Sequence, residues 1–333
     1  MNTQNKEKLI EVKSLNCVLS SKNKVSHVMH DGNLVINKGS SIGIVGESGS
    51  GKTQLLKTIT GTQEMIPGIT NGSVDYYLNN GKTPMYNNNN NNNKYFLHKA
   101  HIEIQRDLIG FIPQDPRSFL NPFWSIKKIF NQTYKLRKRK RSLDKFMEDY
   151  LKKVGIVTKK NPLKKTMYKT PGELSGGQAQ RVMIALVLSK DPKLIIADET
   201  TTGLDVSNQK IVIKTFNDIR DKDSDITMIF ISHDFGFLSH VVDEYYVLYG
   251  GFICEHIKDE KQSIFDKIFF KDLHPYTQDL ISSLKSDDNA KMMDELSANV
   301  DLKNKLKGCP YYEKCSFKNE NKQLEDLCMN EVP

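Results

Sequence analysis

Eight consecutive residues, Gly46, Glu47, Ser48, Gly49, Ser50, Gly51, Lys52 and Thr53, carry the spacing GxxxxGK followed by Ser or Thr. Glycines at that spacing let successive backbone amides turn inward around phosphate oxygens, and a helix opening at Lys52 adds the positive end of its dipole. The Lys52 ammonium then reaches the outer phosphates of a nucleoside triphosphate, with the Thr53 hydroxyl as a Mg2+ ligand. A second element is independent of the first. The apolar run Leu194, Ile195, Ile196 and Ala197 ends in two carboxylates, Asp198 and Glu199. Asp198 at a strand end can hold Mg2+ through water, and Glu199 can polarise an attacking water as general base. Alone, each has a bland reading as a Gly/Ser turn or an acidic strand end. Together they point to phosphoryl chemistry.

The elements that must position these residues are legible from periodicity. Residues 9–12, 34–36 and 41–45 read as strands, separated by turns at Asp31-Gly32 and Lys38-Gly39, and a helix begins near Lys52. Further on, strand signals at 193–197 and 226–231 flank a helix near 208–220. That alternation, with continuously apolar strands, predicts an α/β fold whose parallel sheet is covered on both faces. Residues 121–165 are polar, basic and helical, with Leu143, Phe146, Tyr150 and Leu151 at helical spacing, and another helix is expected after Ser175. The unbroken asparagine tract from Asn87 to Asn93 cannot bury apolar area, which predicts a disordered surface insertion over about 80–95. Beyond about 256 the chain is Lys-rich, holds three of the five cysteines, and reads as a separate appendage.

Composition bounds the partners. The formal charge of +8 is concentrated in clusters, the densest being Lys135 to Arg141. Such a run suits nucleic acid or anionic lipid, but a solvated helix face is the reading adopted, and no nucleic-acid partner is expected. Mean hydropathy is −0.51, and no apolar run approaches the roughly 18 residues that a membrane-spanning helix needs. The N-terminus has no apolar secretory stretch. A cytoplasmic protein is expected, attached to a membrane only through a partner. An odd count of five cysteines in such a chain argues against a disulfide framework.

Phosphate loops serve many classes of enzyme, so the discriminating residues lie elsewhere. Leu174, Ser175, Gly176, Gly177 and Gln178 resemble the LSGGQ signature of ABC ATPases and lie just upstream of the Asp198-Glu199 strand. A Ser hydroxyl and glycine amides at a helix N-terminus form another phosphate site, which makes sense if it closes over a neighbour's ATP. Gln114 resembles the family's Q-loop glutamine, which touches Mg2+ and the attacking water. Asp205, in Gly203-Leu204-Asp205, resembles the D-loop at the dimer seam. His233 resembles the switch histidine that reaches the γ-phosphate. The resemblance covers about residues 8–256 and implies a P-loop NTPase (RecA-like) core, an antiparallel β subdomain, an inserted helical subdomain over about 116–186, and ATP with Mg2+ as the bound species.

Finer features are similar to the D-type ATPases of oligopeptide/dipeptide permeases. These are Gln54 after the loop, Gln114 to Pro122, Gln180 to Ala185, His274 to Thr277, and Cys309, Cys315 and Cys328 in a C-terminal extension over 257–333. That resemblance implies two membrane permease subunits, a second and different ATPase (the F-type) packed head to tail, an external peptide-binding protein, and a place on the cytoplasmic face of the cell membrane. Residues 114–129, including Phe119, Phe123 and Trp124, would receive a permease coupling helix. Some relatives hold an iron–sulfur cluster on four cysteines of that extension. Here three are present, so free thiols are expected and a cluster is the alternative. Leu19 stands where the family places an adenine-stacking aromatic, which predicts weakened base discrimination. Thr200 stands where proline is usual.

Overall fold

The computed structural model describes residues 7–21, 24–62, 67–79, 81–89, 94–136, 141–258, 273–283, 308–318 and 328–329. The expected basic run falls partly outside these residues, at 137–140, and the asparagine tract at 90–93.

In chain order the elements begin with β1 (Lys8–Ser21), β2 (Lys24–Asn37), β3 (Ser41–Val45) and α1 (Lys52–Thr60). Four strands follow: β4 (Pro67–Leu78), β5 (Gly81–Pro84), β6 (Tyr86–Asn89) and β7 (Lys94–Leu97). Then come β8 (Ile109–Ile112), α2 (Ile126–Leu136), α3 (Leu143–Lys153), α4 (Gly176–Leu188) and β9 (Leu194–Asp198). The remaining principal elements are α5 (Val206–Lys222), β10 (Thr227–Ile231), β11 (Glu244–Tyr249), β12 (Phe252–Lys258) and α6 (Pro275–Ser283). The chain divides into two units, residues 1–105 with 232–333, and residues 106–231.

In the first unit, β1 shows how local sequence sets the sheet. Ile10 and Val12 are buried in one phase of the strand alternation, Leu15 and Cys17 in the other. Register shifts against β2 between Val12 and Leu15, with Ser14 at φ +45°, switch the phase and keep all four inside. The antiparallel sheet runs β2-β1-β4-β5. Separately, β11 pairs in parallel with β3 and antiparallel with β12. Every residue of β3 is buried, as a strand covered on both faces requires.

Two expectations change here. Asn87, Asn88 and Asn89 lie in β6, which forms an antiparallel hairpin with β7 in place of an irregular insertion. The reason lies in the flanking aromatics: Tyr86 is buried and donates its hydroxyl to the Thr58 carbonyl at 2.8 Å, and Tyr95 is buried on the opposite strand. The described part of the tail is likewise no separate appendage. Tyr276 of α6 and Tyr311 pack against Tyr249 of β11 with centroids 4.5 and 5.1 Å away. Those aromatics, with buried Leu280 and Ile281, give a Lys-rich tail enough apolar surface to join the first unit.

In the second unit β10, β9 and β8 lie side by side, all parallel. Their apolar runs are buried, so the chain is α/β with mixed sheets as the alternation predicted. The helical part is centred on Phe146 of α3, which is fully buried with the rings of Phe130, Tyr134 and Tyr150 at 6.5, 5.6 and 5.1 Å. Substituting Phe146→Ala removes that shared surface and leaves a cavity, with an expected cost of about 3–5 kcal/mol. A thermal unfolding midpoint equal to that of wild type would show that the ring cluster is not holding α2 to α3.

Candidate functional site

The phosphate loop begins where β3 ends. At Gly46, φ is +152° and a Cβ would stand 2.2 Å from the Leu248 carbonyl oxygen. No other residue fits so close to β11. Gly51, the N-cap of α1 at φ +105°, similarly approaches the Val28 carbonyl, which a Cβ would meet at 2.6 Å. The Gly251 amide donates to Ser50 O at 3.0 Å, so the loop is clamped by β2 on one side and the β11–β12 turn on the other. Ser48 and Gly49 remain on the exposed crest, and Thr53 is exposed in the first turn of α1.

Lys52 is buried, and its ammonium donates to the carbonyls of Gly46 and Glu47, both at 2.6 Å. The buried Ser50 hydroxyl has no hydrogen-bond partner among the described residues. A buried cation on backbone carbonyls beside an orphaned hydroxyl fits an anion of high charge density, and the residues present therefore suit a triphosphate. In the same unit His233 is half-buried. It follows Ser232, whose amide donates to Ile44 O of β3 at 3.3 Å, and precedes Asp234, which caps the short helix Phe235–Leu238.

In the second unit, β9 delivers Asp198 and then Glu199 at φ +44°, a left-handed conformation uncommon for glutamate. The Glu199 amide donates to Ile231 O at 2.8 Å, anchoring the turn to the end of β10. Gln114, exposed just beyond β8, donates from Nε2 to Glu199 Oε2 at 2.7 Å. Two residues 85 positions apart in sequence thus meet as one hydrogen-bonded pair. Asp115 caps the short helix Pro116–Phe119 through the Arg117 amide, and the Arg117 guanidinium donates to Leu174 O. That bond ties the Gln114 segment to the residue preceding Ser175.

Ser175 and Gln178 form a reciprocal capping box at the start of α4, with Gln178 N–H to Ser175 Oγ at 3.3 Å and Ser175 N–H to Gln178 Oε1 at 3.1 Å. Ser175 and Gly176 are exposed; Gly177 is buried, and a Cβ there would lie 2.5 Å from the Asn208 side chain. Asn208 in turn donates its amide and its Nδ2 to Asp205, the N-cap of α5. Those hydrogen bonds, the backbone one first, hold the Asp205 carboxyl below the usual carboxylate range. The sequence reading kept Gly177 and Asp205 apart; Asn208, which it did not single out, joins them.

Leu19 is half-buried in β1 opposite Ser26 of β2. Cys17 and Cys254 are buried. Cys309 donates its amide to Cys328 O at 2.7 Å, and its Sγ lies 3.7 Å from His274 Nε2. Among the described residues no group of three or more His, Cys, Asp or Glu side chains is placed to hold a metal ion. Burial pushes the Cys309 thiol up to about 11. The residue that sequence reading missed most plainly is Glu47. Its motif position accepts any residue, and the Tyr276 hydroxyl that receives its amide is 229 residues away.

The chain is similar to known proteins in both sequence and fold. Residues 29–202 match the family described as ABC transporter, and residues 262–321 match the oligopeptide/dipeptide transporter C-terminal region. The oligopeptide transport ATP-binding protein OppD of Haemophilus influenzae is 32% identical over 319 residues, spanning 95% of this chain and 92% of that one. OppD of Bacillus subtilis is 33% identical over 279 residues, spanning 83% and 72%. A dimeric ATP-binding cassette solved in a post-hydrolysis state with ADP and Pi shares the fold, with a TM-score of 0.60, 24% identity, and coverage of 75% of this chain and 98% of that one. The chain belongs to the ABC transporter ATP-binding family, in the branch that carries the oligopeptide/dipeptide transporter C-terminal region.

Proposed function

We propose that this chain is the ATP-hydrolysing subunit of an importer for oligopeptides or dipeptides, and that it works head to tail with a second, different cassette. The observation that carries the reading is the pair of prepared groups: a buried ammonium waiting on two carbonyls in the phosphate loop, and Glu199 fixed by Gln114. The peptide assignment rests on the similarity to OppD proteins and on the C-terminal region.

On this reading the triphosphate draws the Lys52 ammonium off the Gly46 and Glu47 carbonyls and gives the Ser50 hydroxyl its missing acceptor. Amides of Gly49 and Gly51 line the same concavity, with Ser48 on its crest. Thr53, Asp198 and Gln114 would hold Mg2+, whose charge offsets that of the phosphates when bound. Gln114 orients one oxygen of Glu199, so the carboxylate accepts a proton from water as the water oxygen attacks the γ-phosphorus. The bond from that phosphorus to the β-phosphate oxygen breaks, giving ADP and phosphate. His233 donates towards a γ-phosphoryl oxygen. Catalysis is positioning with electrostatic stabilisation. The exposed end of α4, with Ser175, Gly176, Gly177 and Gln178, closes over the nucleotide of the second cassette, and Asp205 lies at that seam.

The remaining partners are two permease subunits, with an external peptide-binding protein acting through them, which places the chain on the cytoplasmic face of the membrane. No helix among the described residues is long and apolar enough to cross a membrane. Phe123 and Phe119 are 89% and 64% exposed, an apolar pair beside the Gln114 segment suited to a coupling helix.

Glu199→Gln is expected to keep nucleotide binding while lowering phosphate release by about 10²–10⁴-fold, the contribution typical of general-base catalysis. Wild-type turnover in that variant would remove Glu199 from the role. Lys52→Ala should instead weaken binding itself, read by titration with a fluorescent ATP analogue. For the partner reading, Phe123→Ala should lower the yield of permease pair recovered with the tagged chain from solubilised membranes; an unchanged yield would place the docking surface elsewhere.

A further inference from the structure

The phosphate loop contains a carboxyl that the mechanism does not use. Glu47 is only 3% exposed, and neither of its carboxyl oxygens has a hydrogen-bond partner among the described residues. Ionised carboxylates are rarely left in that condition, because desolvation without pairing costs several kcal/mol by order of magnitude. Four charged or titratable groups face it: Lys52 from α1, Lys314 from the segment after Cys309, Tyr276 from α6 and Tyr249 from β11. Two of these belong to the C-terminal region. The Tyr276 hydroxyl also accepts the Glu47 amide at 3.2 Å, and Tyr276 and Tyr311 pack ring to ring at 5.3 Å, just ahead of Lys314 in the chain.

We propose that Glu47 is a positioning residue that takes up one proton from solvent as triphosphate enters the loop, and that the C-terminal region, through Lys314 and Tyr276, sets the pH at which it does so. Charge balance is the physical reason. In the nucleotide-free loop Lys52 lies on the Glu47 carbonyl, and its field favours the ionised carboxyl. A bound triphosphate neutralises that ammonium and adds negative charge nearby, so both changes favour the neutral carboxyl. Burial already pushes this carboxyl up to about 7, against the pull of Lys314 and then Lys52, so it titrates at working pH. Its neutral form is the one that binding selects. Affinity is therefore expected to fall as pH rises above the nucleotide-free value, by at most about tenfold per pH unit for one proton.

This inference rests on the reading that residues 46–53 hold the triphosphate. It is tested on the full-length chain by calorimetric titration with Mg2+ and a slowly hydrolysed thio-substituted ATP analogue, from pH 6.5 to 8.5, in buffers of different ionisation enthalpy. Wild type should absorb up to one proton and lose affinity several-fold across the range. Glu47→Gln should absorb less by that amount, with a flatter affinity profile; the ligand's own protonation cancels in the comparison. Lys314→Met keeps the carboxyl and removes the facing cation, so the fall in affinity should move to higher pH. Equal proton uptake in wild type and Glu47→Gln overturns the inference alone, as does an unmoved profile in Lys314→Met. Failure of wild type to bind the analogue at any pH overturns it together with the site assignment.

Discussion

The constraint on which the site depends is the burial of one cation. The Lys52 side chain has lost most of its water, and backbone carbonyls of Gly46 and Glu47 take the place of that water. Neutral carbonyls are weaker partners for an ammonium than an anion is, so the loop is satisfied enough to fold while an anion in their place would hold the ammonium more strongly. The arrangement needs backbone where side chains would normally stand. That explains why Gly46 and Gly51 lie where a Cβ would strike Leu248 O and Val28 O. The clamp combines β2, near in sequence, with the β11–β12 turn, far along the chain, so the loop's shape depends on both.

In the second unit the corresponding constraint is backbone strain. Glu199 sits at φ +44°, a conformation that usually costs of order 1–3 kcal/mol and persists only where the surroundings impose it. They do so by its amide bond to Ile231 O and the Gln114 side-chain bond. The strain turns the carboxylate out of the line of β9 and towards Gln114, which strand geometry alone would not do. Asp198, one residue earlier, keeps strand geometry. Two adjacent carboxylates thereby stand on different backbone conformations.

Much of this was legible in the sequence because the chemistry depends on local runs. The eight-residue loop, the strand ending in Asp198 and Glu199, and the Ser175–Gln178 helix start are each contiguous, and each announces itself by residue type and spacing. Continuous apolar runs likewise gave β3, β9 and β10 their buried character. What the sequence hid depends on long-range packing. The asparagine tract looked structureless because composition weighs its residues equally, whereas the buried Tyr86 and Tyr95 anchor the two paired strands that flank it. The tail looked detached because its apolar residues are few and scattered, and only folding gathers Tyr276 and Tyr311 against Tyr249. Glu47 was invisible for the same reason.

Ser175 to Gln178 and Asp205 read as two separate motifs, and two loops of that kind could shift independently. Gly177 prevents this. Its lack of a side chain lets the Asn208 side chain lie against the start of α4, where a Cβ would come within 2.5 Å of it, while the same Asn208 grips Asp205 through its backbone amide and its Nδ2. The N-termini of α4 and α5 are therefore packed against each other through Asn208. Glycine at position 177 is thus needed for packing between the two helix starts, where a side chain would meet Asn208.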